Sequence, residues 1–243
     1  SVSEMLDFPL YFFVRFCKNH GLLSVNERPQ WRVIKGGSKA YIKPLLGELF
    51  DKVKLNANVE SITRDDQQVT IKVDGESCVF DQVILACHSD QALALLGDST
   101  EGERDVLGSI GYRENDVVLH TDSRLLPNSK LAISSWNYLL DDNQASPPVL
   151  TYHMNTLQSL DAPVDFCVTL NATDRIDTAK ILGRYSYSHP VFTKEAMAAQ
   201  ARWLEINGQR NTWFAGAYWY NGFHEDGVKS ALRVVEALGA PTF

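Results

Sequence analysis

The sequence predicts a mixed α/β (α+β) protein in which a region of short strands and helices is interleaved with an antiparallel sheet. Three observations predict it. Apolar residues recur at three-four spacing near both ends, at Leu10, Phe13, Val14, Phe16 and Cys17 and again at Val228, Ala231, Leu232, Val235 and Leu238, as one helix face requires. Between Lys52 and Cys87 the pattern shifts to short strands separated by turn residues. Between Thr100 and Gly208 five further strand-like runs follow, and no repeat, low-complexity tract or linker divides the two regions.

The elements follow in order. Asp7 and Pro9 make a cap and first turn for the opening helix, and Gly21 ends it. A polar loop leads to a strand at Trp31–Ile34 and the turn Lys35-Gly36-Gly37-Ser38, where Ser38 caps a helix that reaches about Phe50 and bends at Pro44. Strands are expected at Val53–Leu55, Val59–Thr63, Val69–Val73, Cys78–Phe80 and Val83–Cys87, with Asp65-Asp66 and Asp74-Gly75 as turns. The run Val83-Ile-Leu-Ala86 is continuous, as in a strand covered on both faces. Ser89 begins a short helix, and Thr100 with Glu103 forms a capping box. Strands at Val117–His120, Leu131–Tyr138, Val149–Asn155, Phe166–Asn171 and Ile181–Tyr187 make the antiparallel sheet, with a turn through Asn143–Pro148, and Thr193 caps a helix through Trp203 and Ile206. The chain closes on a strand, a glycine-rich turn and a helix over Asn211–Gly239, which aims backbone N–H groups and a positive helix end at the turn. An electron-rich group belongs there.

Charge and composition exclude several classes. Twenty-three basic against 30 acidic residues leave a net charge of −7 with no basic stripe, so no nucleic-acid partner is expected. No apolar run approaches the roughly 20 residues of a membrane-spanning helix. Cys17, Cys78, Cys87 and Cys167 form no Cys-x-x-Cys pair and sit among apolar neighbours, which points to reduced thiols in a cytoplasmic protein. Cys87, at a strand end beside His88, is the exception to watch for reactivity. His224, Glu225 and Asp226 are consecutive and point in different directions, and no second ligand set stands at suitable spacing, so no metal is expected. His120, His153 and His189 have no triad partner in the sequence, which gives a hydrolase little support.

The turn at Gly36-Gly37, the strands containing Val59 with Ile62 and Val83–Ala86, and the closing Trp213-Phe-Ala-Gly-Ala-Tyr with Gly222-Phe-His-Glu-Asp-Gly227 occur in an order that resembles the FAD-dependent amine oxidase superfamily. Within it, Glu4–Pro9, Gln30-Trp-Arg and Gly222–Gly227 are similar to bacterial NAD/FAD-binding oxidoreductases. The resemblance implies a partial FAD/NAD(P)-binding domain interleaved with a substrate domain, divided as a helical segment of the substrate domain over 1–30, an FAD-domain portion over 31–98, an antiparallel-sheet substrate domain over 99–208, and an FAD-domain strand-turn-helix over 209–243. It also implies hydride transfer from an amine or apolar small-molecule substrate to flavin N5. Members begin with a Gly-x-Gly-x-x-Gly unit that holds the FAD pyrophosphate, and this sequence contains none. The expectation is therefore a C-terminal portion of a longer oxidoreductase, inactive alone, binding FAD weakly or not at all, and self-associating through the face the absent unit leaves.

Carried over by residue, the resemblance sets Gly36 and Gly37 at the helix opening near the cofactor, Val59 against adenine, and Ala86 with Cys87 at a strand end beside the dinucleotide. Gly216-Ala217 stands where the family has Gly-Asp, so the expected carboxylate contact is missing. Gly222, Phe223, His224, Glu225, Asp226, Gly227 and Val228 match the helix start facing the flavin pyrimidine edge. Trp136, Tyr138, Tyr152, Tyr218, Trp219 and Tyr220 are candidates for the substrate cavity; Tyr218, Trp219 and Tyr220 read equally as core packing, and sheet packing is the favoured reading for Trp136, Tyr138 and Tyr152. No residue is assigned as a catalytic base. The same fold without redox chemistry, as in the Rab GDP dissociation inhibitors, is the competing expectation, and Ala217 leans towards it.

Overall fold

The computed structural model describes residues 9–26, 30, 32–140 and 149–240. Asp7, Trp31 and the turn at 143–148 lie outside them, as do residues 4–8 of the first family motif. Pro9, with its fixed φ, stands immediately before helix α1 (Leu10–Asn19), which stops at Gly21 in the left-handed region, φ 65°. The covered side of α1 differs from the expected one. Phe12 and Cys17 are buried, Phe12 stacked 4.5 Å from Phe192, while Leu10, Phe13 and Val14 are exposed. A helix with apolar residues on most of its circumference does not reveal in sequence which of them will be covered.

Residues 32–34 form no strand, and Gly36 and Gly37, φ 86° and 79°, make the turn into α2 (Lys39–Leu46). Ser38 makes no capping hydrogen bond, because its backbone is already helical (φ −61°, ψ −27°) and a capping side chain needs an extended one. Pro44 lies inside α2, and the helix ends at Leu46 rather than Phe50, passing at Gly47 into a 3₁₀ turn over Gly47–Lys52. Val53–Leu55 leads into a turn instead of a strand.

The meander forms as read. Strands β1 (Val59–Arg64), β2 (Val69–Val73) and β3 (Glu76–Phe80) pair antiparallel, with Ile62 opposite Ile71 and Ile71 opposite Cys78. Asp74 and Gly75, both at positive φ, provide the tight turn. Strand β4 (Val83–Leu85) is shorter than its apolar run, and Ile84 is 46% exposed, so only one face of it is covered. Helices α3 (Ser89–Leu95) and α4 (Glu101–Gly108) follow, α4 with the expected box: Thr100 Oγ1 accepts from Glu103 N and Glu103 accepts from Thr100 N.

Glu103 also closes an ionic knot. The Arg64 side chain is fully buried and donates to Glu103 at 2.6 and 2.9 Å and to Asp98 Oδ1 at 2.9 Å, while Arg210 reaches Asp98 Oδ2 at 2.8 Å. Burial alone would neutralise these groups, but the paired charges more than offset it, holding Glu103 and Asp98 below the usual carboxylate range and Arg64 above its own.

Strand β5 (Tyr112–His120) begins the expected sheet. A 3₁₀ turn at Lys130–Ala132 replaces the start of the strand read from Leu131, leaving β6 as Trp136–Leu139. Then come β7 (Val149–His153), the short helix α5 (Met154–Gln158), β8 (Cys167–Leu170) and β9 (Ile181–Pro190). The order is β6-β7-β8-β5-β9, antiparallel from β6 through β5. One face is buried and polar: Asn137, Thr151 and Thr169 lie opposite one another in register, and His120 Nε2 meets Thr169 Oγ1 at 2.8 Å, as does Thr151 Oγ1. Asp122 N–H donates to His120 Nδ1 at 3.1 Å, so the proton sits on Nε2 and the ring is neutral. Trp136, Tyr138, Leu150, Tyr152, Val168 and Leu170 occupy the opposite, less covered face.

Thr193 caps α6 (Lys194–Ala201), α7 spans Trp203–Ile206, and β10 (Thr212–Phe214) pairs parallel with β4. Helix α8 (His224–Ala237) closes the chain and stops before Gly239, φ 75°. The described chain divides into two compact units, Tyr112–His189 and the remainder from Pro9. Helices α1 and α4 group with the β4–β10 strands. No described helix is long and apolar enough to cross a membrane.

Candidate functional site

Strands β4 and β10 run parallel, and ligands of open parallel sheets gather beyond the carboxyl ends of the strands. Here those ends are Ala86-Cys87 and Ala215-Gly216, joined where Ala215 N donates to Leu85 O at 3.0 Å. Beyond β10 the chain makes a 3₁₀ turn over Ala217–Trp219, turns at Gly222 with φ 85°, and enters α8. A cavity of about 530 Å³ lies at this entry, lined by Ala217, Gly222, Phe223, His224, Gly227, Val228 and Ala231. A Cβ on Gly227 would meet nothing within 4 Å, so the wall is open at that position.

The start of α8 is held from below. Asp226, buried, accepts from Phe223 N at 3.0 Å and Asn221 N at 3.2 Å, and Ser230 Oγ accepts from Gly216 N at 2.8 Å while donating to Gly227 O. Asp226, Ser230 and Val234 are therefore the covered side of α8, while Val228, Leu232 and Leu238 of the expected apolar face are exposed. Two short polar residues are buried because each satisfies backbone groups of the turn, a pairing invisible to apolar periodicity. Tyr41 O–H, on α2, lies 2.7 Å from His224 Nε2 and ties the helix after Gly36-Gly37 to the cavity rim. Sequence reading did not single out Tyr41, and no local signal could have, since its partner is 183 residues away.

The remaining candidates are distributed as follows. Val59 begins β1 opposite Val73 and does not line the cavity, nor do Gly36, Gly37, Ala86, Cys87 or Gly216. Tyr218 and Trp219 are buried and Tyr220 half-buried; Trp219 Nε1 donates to Phe214 O, and Gln200 Nε2 to the carbonyls of Tyr218 and Tyr220. Trp136 and Tyr138 line a separate cavity along β6, and Tyr152 packs edge-on to Trp136 at 6.1 Å. The Cys87 thiol is pushed up by burial and by Asp90, the reverse of what an activated thiolate needs, which removes it as a reactive candidate. Among the described residues no group of three or more His, Cys, Asp or Glu side chains is placed to hold a metal.

The family model of flavin containing amine oxidoreductases matches residues 8–151, more than half of the chain. The chain belongs to that family. Solved structures carry the same fold at identities that speak only for the fold. A fatty acid isomerase from P. acnes that produces CLA aligns with 83% of the chain and 52% of its own, at 18% identity and TM-score 0.61. A putative protoporphyrinogen oxidase from Exiguobacterium sp. 255-15 gives 94% and 58% at 14% identity and TM-score 0.59. Cyclohexylamine oxidase from Brevibacterium oxydans gives 96% and 61% at 14% identity and TM-score 0.59. The chain thus spans between about half and three fifths of the length of these structures. No curated protein matches the chain in sequence.

Proposed function

We propose that the chain is the flavin-edge half of an FAD-dependent oxidoreductase that removes hydride from an amine or apolar substrate. The observation that carries this reading is the cavity at the start of α8, with its open wall at Gly227 beneath a helix N-terminus. FAD, when bound, supplies the hydride acceptor at flavin N5. The donor set suits it: the first-turn amides of His224 and Glu225 have no intrahelical partner and favour an electron-rich ring edge by roughly 0.3–2 kcal/mol. Ala217 lines the cavity without the carboxylate expected at that position, so one polar anchor is lost. Asp226 shapes the turn through Oδ2, which accepts from the Asn221 and Phe223 amides. Tyr41 and His224 fix the rim, and Phe223, Val228 and Ala231 would offer the ring an apolar wall.

The chain contains no Gly-x-Gly-x-x-Gly cradle for the pyrophosphate, so we expect weak FAD binding and little activity from this chain by itself, and self-association through exposed apolar side chains such as Leu10, Phe13, Ile84 and Val228. The family match favours this oxidoreductase over a non-redox binding protein on the same fold. Amide NMR with millimolar FAD tests it: shifts should concentrate at Gly222–Ala231 and vanish in Gly227→Leu. Shifts spread elsewhere, or unchanged in that variant, would overturn the assignment.

A further inference from the structure

We propose that the cavity along β6 is a binding site for an amphipathic monocarboxylate, an aliphatic or aromatic acid held head-first by Arg124. The cavity is an open cleft of about 400 Å³ within the Tyr112–His189 unit, a size suited to small molecules, and is lined by Arg124, Leu126, Pro127, Ala132, Trp136 and Tyr138 among others. Its apolar side is aromatic and uncovered. Trp136 and Tyr138, two apart on β6 and hence on one face, are 46% and 50% exposed, and Leu131 stands fully exposed next to Ala132. Large exposed rings beside a concave wall favour an apolar body.

The polar end is pre-organised. Asp122, 1% exposed, grips Arg124 through Nε at 2.8 Å and Nη2 at 2.5 Å. It is itself fixed by the Asp177 amide at 2.8 Å and by Lys180 at 3.7 Å. A guanidinium held this way, its side chain 61% exposed, keeps its outer Nη1–Nη2 edge for a second planar acceptor, and Asp122 restricts its rotamers before a ligand arrives. Nη1 makes no hydrogen bond among the described residues. The wall is fixed as well: Asn137 accepts from Ser134 N at 3.0 Å and donates to Ser134 O at 2.7 Å, locking the turn that enters β6. A carboxylate fits this edge better than an alcohol or amine, since only it offers two coplanar oxygens and a negative charge.

The test titrates the whole chain with decanoate, without flavin, following heat and tryptophan fluorescence, with 1-decanol as the neutral control. Decanoate should bind saturably and at least about tenfold tighter than decanol. Arg124→Gln should abolish that preference while leaving decanol unchanged, and Ala132→Phe, which leaves the ion pair untouched, should weaken both. Equal affinity for acid and alcohol, no saturable binding to millimolar decanoate, or binding indifferent to Ala132→Phe would each overturn the proposal. Because flavin is absent from every arm, failure of the FAD assignment would not alter the result.

Discussion

Replacing Glu103 by Ala should cost the protein about 4 kcal/mol of stability. The carboxylate accepts from Arg64 at 2.6 and 2.9 Å and from Thr100 N at 2.8 Å, and its removal strands the inner side of a guanidinium that has no contact with solvent. Breaking a buried pair from one side costs roughly 3–5 kcal/mol. Asp98 still neutralises Arg64 from the Nε side, which favours the lower end, and the lost half of the capping box adds about 1 kcal/mol. For a chain of this size that is a fall in Tm of roughly 8–16 °C. Urea titrations followed by circular dichroism measure it, with an unchanged slope confirming that only stability has moved. The double replacement Arg64→Met with Glu103→Leu removes both charges and should recover much of the loss. A cost below about 1 kcal/mol for Glu103→Ala, or strictly additive single and double variants, would refute the view that this knot holds β1 to α4.

Two other outcomes follow from described groups. Burial lowers the His120 pKa against the opposing pull of Asp122, so the unfolded chain binds protons that the native ring refuses; stability should rise with pH from the lowered native value up to about 6.5, by at most about 1.4 kcal/mol per unit, and His120→Gln should flatten urea midpoints across pH 5–7. Asp226→Ala should free the Phe223 and Asn221 amides, cost roughly 1–2 kcal/mol, and speed hydrogen exchange in the first turn of α8 but not in its last.

The order of elements was legible from residues whose local chemistry decides the backbone: Thr100 with Glu103, Asp74-Gly75, Thr193 and Gly239 each act within a few positions of themselves. The faces of α1 and α8 were not. Helix α1 carries apolar residues around most of its circumference, and in α8 Asp226 and Ser230 are covered for backbone hydrogen bonds that periodicity ignores. Strands failed where the expected pattern had no partner, at Val53–Leu55, or where a 3₁₀ turn intervened, at Leu131. At the candidate site, the glycine turn and helix start could be read because the motif is contiguous. Tyr41 with His224, and Asp122 gripping Arg124 beside the β6 cavity, depend on geometry that the sequence does not print.

The sheet-bearing unit leaves the chain after Gly111 and the chain resumes at Pro190, and Val191 N donates to Gly111 O at 2.8 Å. The residues on either side of that long excursion are thus held together by a backbone hydrogen bond. The 129-residue separation between β4 and β10 partners, such as Leu85 and Phe214, would ordinarily make their pairing a slow, long-range search. The Val191–Gly111 hydrogen bond closes the long connection into a much shorter effective loop, which lowers the chain entropy that the β4–β10 pairing has to overcome.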